Sequence, residues 1–240
     1  MRIIKPYHEI LASTADPIGL IEQAYRNCYK SEDKIEHGSA EKLIGNCMKL
    51  NHATPLEHAG VTVRFVCDRG IMAEITRHRI CSFSVESTRY CNYSKNKFRK
   101  QITVILPLGF DKGLLSIDYP CGEHWVDHID NSVFWQIQDT EQESWLNAMH
   151  NAENSYMEML ERGTSAEMAR SVLPNSLKTE IVMTANLREL KLIFKLRCSK
   201  AAHPQIRELL LPLLEELHEK IPVIFDDEYE MYKEAINEST

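Results

Sequence analysis

Arg77-His78-Arg79-Ile80-Cys81-Ser82-Phe83-Ser84-Val85-Glu86-Ser87-Thr88-Arg89-Tyr90 is the stretch of this chain best equipped for chemistry. Three basic residues stand in a row. Four hydroxyl residues (Ser82, Ser84, Ser87 and Thr88), one carboxylate and a fourth cation follow. Guanidinium groups hold phosphate through paired hydrogen bonds, and hydroxyls with loop amides complete an anion cradle. Read for structure alone, the same residues make a basic helix end running into a solvated loop, because cations complement a helix C-terminus. Two further basic residues are unremarkable by themselves: Arg170, a surface charge ahead of Leu173-Pro174, and Arg197, a cation at the end of an apolar helix.

The elements that must position these residues follow from local pattern. Asp68 to Ile75 reads as a helix starting near Gly70, apolar at Ile71, Met72 and Ile75, with Arg77 delivered at its end. Residues 60–67 alternate, so Val61, Val63, Phe65 and Cys67 share one face of a strand. Residues 1–7, 101–107 and 178–185 also read as strands. Asp16-Pro17 predicts a capped helix start with Ile18, Ile21, Ala24 and Tyr25 on its apolar face. A second helix is predicted over 39–50, with Leu43, Cys47 and Leu50 on one face. Thr54 and Glu57 have capping-box spacing around Pro55, as do Thr164 and Glu167 ahead of a helix running to Leu173. Residues 140–162 form the clearest helical pattern, ended by Gly163, and its Met and aromatic stripe predicts core or subunit interface. Asn186 reads as an N-cap with Glu189 at the box position, before a helix apolar at Leu187, Leu190, Ile193, Phe194 and Leu196. Pro204 opens a Leu-rich helix over 204–220 that Pro212 should kink or divide, and the acidic tail 226–240 is helical before it frays.

Composition narrows the class. The chain has 240 residues, 43% hydrophobic and 26% charged, which fits a globular domain. A formal net charge of -7 argues against a general nucleic-acid coat, though not against a local basic pocket. The seven cysteines (Cys28, Cys47, Cys67, Cys81, Cys91, Cys121 and Cys198) are odd in number, scattered and without a C-x-x-C pair, as expected of free thiols in a reducing cytoplasm. The first residues lack the apolar run of a signal peptide, and no stretch approaches the ~18 apolar residues of a membrane span. No membrane partner is therefore expected.

The pattern Arg77-His78-Arg79, seven residues, then Ser87, followed by Thr88-Arg89-Tyr90, resembles the signature of the flavin-dependent thymidylate synthases. The resemblance extends from about residue 20 to 215 and is weakest over 107–138, which reads as an insertion in a single domain spanning 1–240. It implies an α+β fold with helices packed on an antiparallel-type sheet. It also implies a homotetramer with active sites shared between subunits, flavin adenine dinucleotide (FAD) as cofactor and deoxyuridine monophosphate (dUMP) as substrate. By the same resemblance, 5,10-methylenetetrahydrofolate gives the carbon and NADPH the reducing power for reductive methylation to dTMP. His52 and Thr54, within His52-Ala53-Thr54-Pro55-Leu56-Glu57-His58, are carried over to FAD, with Arg77, His78, Arg79, Asn186 and Arg188. Glu74, Arg77, Glu86, Ser87, Thr88, Arg89, Arg170 and Arg197 are carried over to dUMP, and Arg197 is the residue that activates the pyrimidine. A cation beside a ring nitrogen favours its ionised form. Two positions depart from the family pattern. Leu192 stands where a polar residue often faces the flavin, and Val85 stands where some members carry Glu, with Glu86 one position later.

Other readings make different demands. A serine nucleophile at Ser87 needs a positioned base and an oxyanion site, and a cysteine nucleophile at Cys81 needs an accessible thiolate. A nucleic-acid module would use Arg77–Arg79 and Lys95–Lys100, interleaved with aromatics, and bind with strong salt dependence. A metal-dependent hydrolase would need His52, His58, His124 or His128 in a spacing that fits no standard zinc motif, so no metal is expected. A chain that keeps the family fold but turns over poorly is the remaining alternative.

Overall fold

In the computed structural model, residues 1–110, 125–126 and 140–239 are described. Most of the 107–138 insertion, with His124 and His128, lies outside them. Strands β1 (Arg2–Ile4), β2 (Tyr7–Ser13), β3 (Gly60–Asp68), β4 (Ser82–Val85), β5 (Thr103–Ile105), β6 (Trp125–Val126) and β7 (Lys178–Asn186) form two sheets. The first has the order β5-β1-β6 and the second β2-β3-β7-β4. β1 pairs with β6 antiparallel and with β5 parallel. The helices are α1 (Pro17–Tyr29), α2 (Ser39–Lys49), α3 (Arg69–Ile75), α4 (Thr140–Glu161), α5 (Ala166–Ala169), α6 (Leu187–Arg197), α7 (Pro204–Lys220) and α8 (Pro222–Ser239). The architecture is α+β.

The chain divides into two compact units. The first comprises 1–7, 66–75 and 85–181, the second 8–65, 76–84 and 182–240. In the first unit, Ile3, Ile102, Val104, Leu146, Tyr156 and Leu177 build the core. The stripe on α4 belongs to it through Leu146, Met149 and Tyr156, so that pattern marks core. Glu153, buried in the same stripe, is satisfied by the Ile102 amide at 2.9 Å and the chain's amino terminus at 3.0 Å. α4 stops as expected. Gly163 has φ +88°, the Thr164 amide reaches the Met159 carbonyl at 2.9 Å, and the Gly163 amide reaches Leu160 at 3.0 Å, a Schellman ending.

In the second unit α7 packs on α8 and both pack on α6, with Phe194 and Phe225 edge to face at 5.6 Å. Pro212 leaves α7 undivided, because Leu209, Leu210, Leu213 and Leu214 around it are all buried and packing outweighs one lost backbone bond. The acidic tail is part of α8. Gly60 has a steric purpose: a Cβ there would lie 2.8 Å from the Ala185 carbonyl oxygen. Gly60→Ala should therefore cost about 1–3 kcal/mol as β3 and β7 are pushed apart, read as a lower denaturation midpoint. An unchanged midpoint would mean the strands relax freely.

Several local expectations fail. The buried stripe of α2 is Ala40, Ile44 and Cys47, while Leu50 is 66% exposed beyond its end. Residues Thr54–His58 form a short 3-10 turn without a side-chain cap, and the 164–167 box is also unmade, leaving α5 one turn long before a 3-10 turn at Arg170–Val172. In both cases the glutamate that should have closed the box is drawn to an arginine far away in sequence: Glu57 to Arg188, Glu167 to Arg89. Strands β2 and β4 are additions, hidden by exposed positions and by serines.

Candidate functional site

Local rules place the first group of functional side chains. The Asp68 carboxylate caps α3 by accepting from the Ile71 amide at 2.7 Å, and the helix ends at Ile75, so Arg77-His78-Arg79 follow in a turn. Arg77 and Arg79 are exposed, whereas His78 is only 6% exposed. At the other end, Asn186 caps α6 by accepting from the Glu189 amide at 2.8 Å, as its spacing predicts. That start fixes Glu189 and, just over two turns later, Arg197.

These residues converge on His78. Arg197 Nε donates to His78 Nε2 at 3.2 Å, and Glu189 Oε1 lies 3.4 Å from His78 Nδ1. An Nε2 that accepts must be unprotonated, so the proton sits on Nδ1, facing the carboxylate. Burial pushes the His78 pKa below its ordinary value; the Arg197 charge adds to this, and Glu189 opposes it. The ring is neutral near pH 7. The linkage sign follows from the depressed value. Stability is full above the ordinary histidine pKa of 6.5 and is lost as pH falls below it, because the unfolded chain takes up the proton first. Thermal midpoints of the wild-type chain should thus fall more steeply below pH 6.5 than those of His78→Gln. Parallel curves would remove His78 from that linkage.

The same unit gathers the rest of the expected cofactor set. Arg188 Nη1 donates to Glu57 at 2.5 Å, and the Leu187 amide donates to the Ala59 carbonyl at 2.9 Å, tying the start of α6 to the 52–58 segment. His52 Nδ1 lies 3.0 Å from the Tyr29 hydroxyl, and Thr54 is exposed at the start of its turn. His52, Thr54, Arg77, His78, Arg79, Asn186, Arg188 and Arg197 all belong to the second unit. Along α6, Arg188, Leu192 and Leu196 recur at every fourth position and all are exposed, a cation followed by an apolar stripe.

The remaining expected nucleotide residues, Glu74, Glu86, Ser87, Thr88, Arg89 and Arg170, belong to the first unit. Thr88 is buried, and its Oγ1 accepts from Arg170 Nη1 at 3.5 Å. Arg89 pairs with Glu167 at 3.1 Å. Glu74 is half-buried on α3. The Glu86 carboxylate accepts from Lys178 Nζ at 2.8 Å and from the Tyr93 hydroxyl at 3.1 Å, and Lys178 also donates to Glu180 at 2.7 Å. Burial acts to lower the Lys178 pKa, but its bonds to Glu180 and Glu86 outweigh it and the net shift is upward. A cavity of about 270 Å3 lies beside this group, lined among others by Arg2, Tyr7, Phe98 and Lys178. Of the expected nucleotide residues it includes Glu86.

The model of the thymidylate synthase complementing protein family matches residues 9–223. The chain belongs to this family. The Arg-His-Arg signature and the later arginine segments thus identified it correctly. A flavin-dependent thymidylate synthase from Haloarcula marismortui is 30% identical over 239 residues, covering 91% of this chain and 93% of its own. Among solved structures, a UMP/dUMP methylase PolB from Streptomyces cacaoi, bound with 5-Br dUMP, superposes with TM-score 0.71 at 24% identity, covering 96% of this chain and 97% of its own. Thymidylate Synthase X from Helicobacter pylori, with FAD and dUMP, gives 0.68 at 21% identity, covering 93% and 98%. These two likenesses concern the fold, which is that of the family.

Within this family member the nucleophile readings lose their chemistry. Burial, then the Glu189 charge, pushes the Cys81 thiol up to about 12, so it stays protonated. The Ser87 hydroxyl accepts from the Arg89 amide at 3.3 Å, a turn contact, and the His78 nitrogen that would act as base is held by Arg197. Among the described residues no three His, Cys, Asp or Glu stand together as a metal site, and no helix is long and apolar enough to cross a membrane. Glu189, Lys178, Glu180 and Tyr93 contact the expected residues His78 and Glu86, and spacing did not point to them. Glu189 carries a visible signal only as a capping-box residue, and Lys178 only as the first residue of a strand.

Proposed function

We propose that the chain is a flavin-dependent thymidylate synthase that methylates dUMP reductively to dTMP, acting as one catalytic domain. The observation that carries this reading is the contact of buried His78, the middle residue of the Arg-His-Arg segment, with Arg197 and Glu189 on α6. Arg77, Arg79 and Arg188 supply guanidiniums for the phosphates of FAD, with His52, Thr54, His78 and Asn186 along its length. Glu74, Arg77, Ser87, Thr88, Arg89 and Arg170 hold dUMP, and Glu86 belongs to the same segment. Bound FAD supplies the hydride chemistry, recharged by NADPH, while 5,10-methylenetetrahydrofolate gives the carbon.

Arg197 is the catalytic residue. His78 Nε2 takes the Arg197 Nε–H, which fixes the guanidinium plane, and Glu189 fixes the His78 tautomer through Nδ1. A guanidinium so oriented stabilises negative charge developing on the pyrimidine ring, and a neutral His78 adds no second positive charge beside it. The exposed Leu192 and Leu196 support a homotetramer in which a partner subunit completes the site. The charge balance and the free cysteines among the described residues fit a cytoplasmic enzyme without nucleic-acid or membrane partners.

Incubating the FAD-loaded protein with dUMP, 5,10-methylenetetrahydrofolate and NADPH should yield dTMP, and leaving out any one of the three should abolish it. Protein that binds FAD and dUMP but forms no dTMP from the complete mixture would overturn the synthase reading and favour a family member without turnover.

A further inference from the structure

The segment that follows β4 is locked at both ends by one carboxylate. The Glu86 amide donates to the Glu180 carbonyl at 2.9 Å, carrying the pairing with β7 one residue past the strand. The Glu86 side chain then binds Lys178 Nζ at 2.8 Å and Tyr93 Oη at 3.1 Å, so it joins the start of residues 86–93 to their end and both to β7. Tyr93 is itself fixed, buried against Phe98 and Tyr156 with ring centroids 5.0 and 5.8 Å away. Inside this closure the Ser87 carbonyl accepts from the Tyr90 and Cys91 amides at 3.1 and 2.9 Å. The Lys178 and Glu86 side chains are 18% and 13% exposed, where an ion pair is screened little and loss of one partner leaves the other charge uncompensated.

We propose that Lys178 is a positioning residue for nucleotide binding: through Glu86 it sets the conformation in which Ser87, Thr88 and Arg89 meet the substrate. This rests on the reading of 87–89 as substrate-binding. It gives Glu86 a structural duty in place of direct substrate contact. It also accounts for the glutamate standing one position after the place where some family members carry it, since at 86 it reaches Lys178 and Tyr93.

The test combines kinetics with amide exchange on the FAD-loaded protein. Lys178→Met should raise KM for dUMP about tenfold, with kcat changed less than about threefold and flavin content unchanged, since a misplaced binding loop weakens association while the later chemistry is retained. Lys178→Arg, which keeps the charge and both carboxylate bonds, should restore KM to within about threefold of wild type. Lys178→Met and Glu86→Leu should not add: the double variant should match the worse single one, because both break the same contact. Independently of any turnover, Lys178→Met should speed exchange of the Tyr90 and Cys91 amides at least about tenfold, leaving the Met183 amide in β7 unchanged. A raised KM in Glu86→Gln but not in Lys178→Met would place Glu86 on the substrate and overturn the proposal. Unchanged exchange at Tyr90 and Cys91 would overturn it too. If wild type fails to turn over dUMP while Lys178→Met still loosens those amides, the positioning stands and the synthase reading falls.

Discussion

Arg197→Ala should lower the rate of dTMP formation by about 100-fold or more while the protein still carries FAD. The guanidinium touches the reacting ring in the proposed reading, and removing one oriented donor from developing negative charge costs about 10²–10³ in kcat. Folding should survive the change, because Arg197 is half-buried at the end of α6 and loss of its hydrogen bond to His78 Nε2 costs about 1–3 kcal/mol. The variant has a second signature. The Arg197 charge depresses the His78 pKa, so its removal should move that pKa upward, and an NMR titration of the imidazole should show it. Arg197→Lys, which keeps the charge and loses the planar fork, should fall between wild type and alanine. Normal turnover by Arg197→Ala would remove the activating role, and an unmoved His78 titration would remove the electrostatic coupling.

Arg79→Ala should weaken FAD retention by about 10- to 100-fold, which is the worth of one charge-assisted bond to phosphate. Arg79 is exposed, so its truncation leaves the folded protein intact and the loss reads as binding alone. Arg77 is less informative for this purpose, being shared between the cofactor and nucleotide sets. Equilibrium dialysis against FAD would read the affinity, and unchanged retention would take Arg79 out of the cofactor site.

What the sequence made legible was local. Alternation over 60–67 and the strand read over 178–185 became β3 and β7, and the caps at Asp16 and Asn186 formed with the bonds their spacing predicts, because donor and acceptor lie within one turn. Thr54 and Glu57 had equally good spacing and made no box, because Glu57 meets Arg188, 131 residues on, in a contact that no window of sequence contains. The same holds for the site. The Arg-His-Arg segment and Arg197 were readable as resemblance, yet 119 residues separate His78 from the arginine that binds it. Lys178 lies 92 residues from Glu86, and only folding brings a strand's first residue onto that carboxylate. β4 was invisible for a different reason: alternating exposed serines give an edge of the sheet no hydrophobic signal.

The reading stands most directly on a visible absorption spectrum of the freshly purified protein, recorded before and after addition of dUMP under anaerobic reduction. Flavin bands that change when the nucleotide is added would place cofactor and substrate in one site, as the account predicts. A colourless protein that takes up no added FAD and gives no response to dUMP would contradict it.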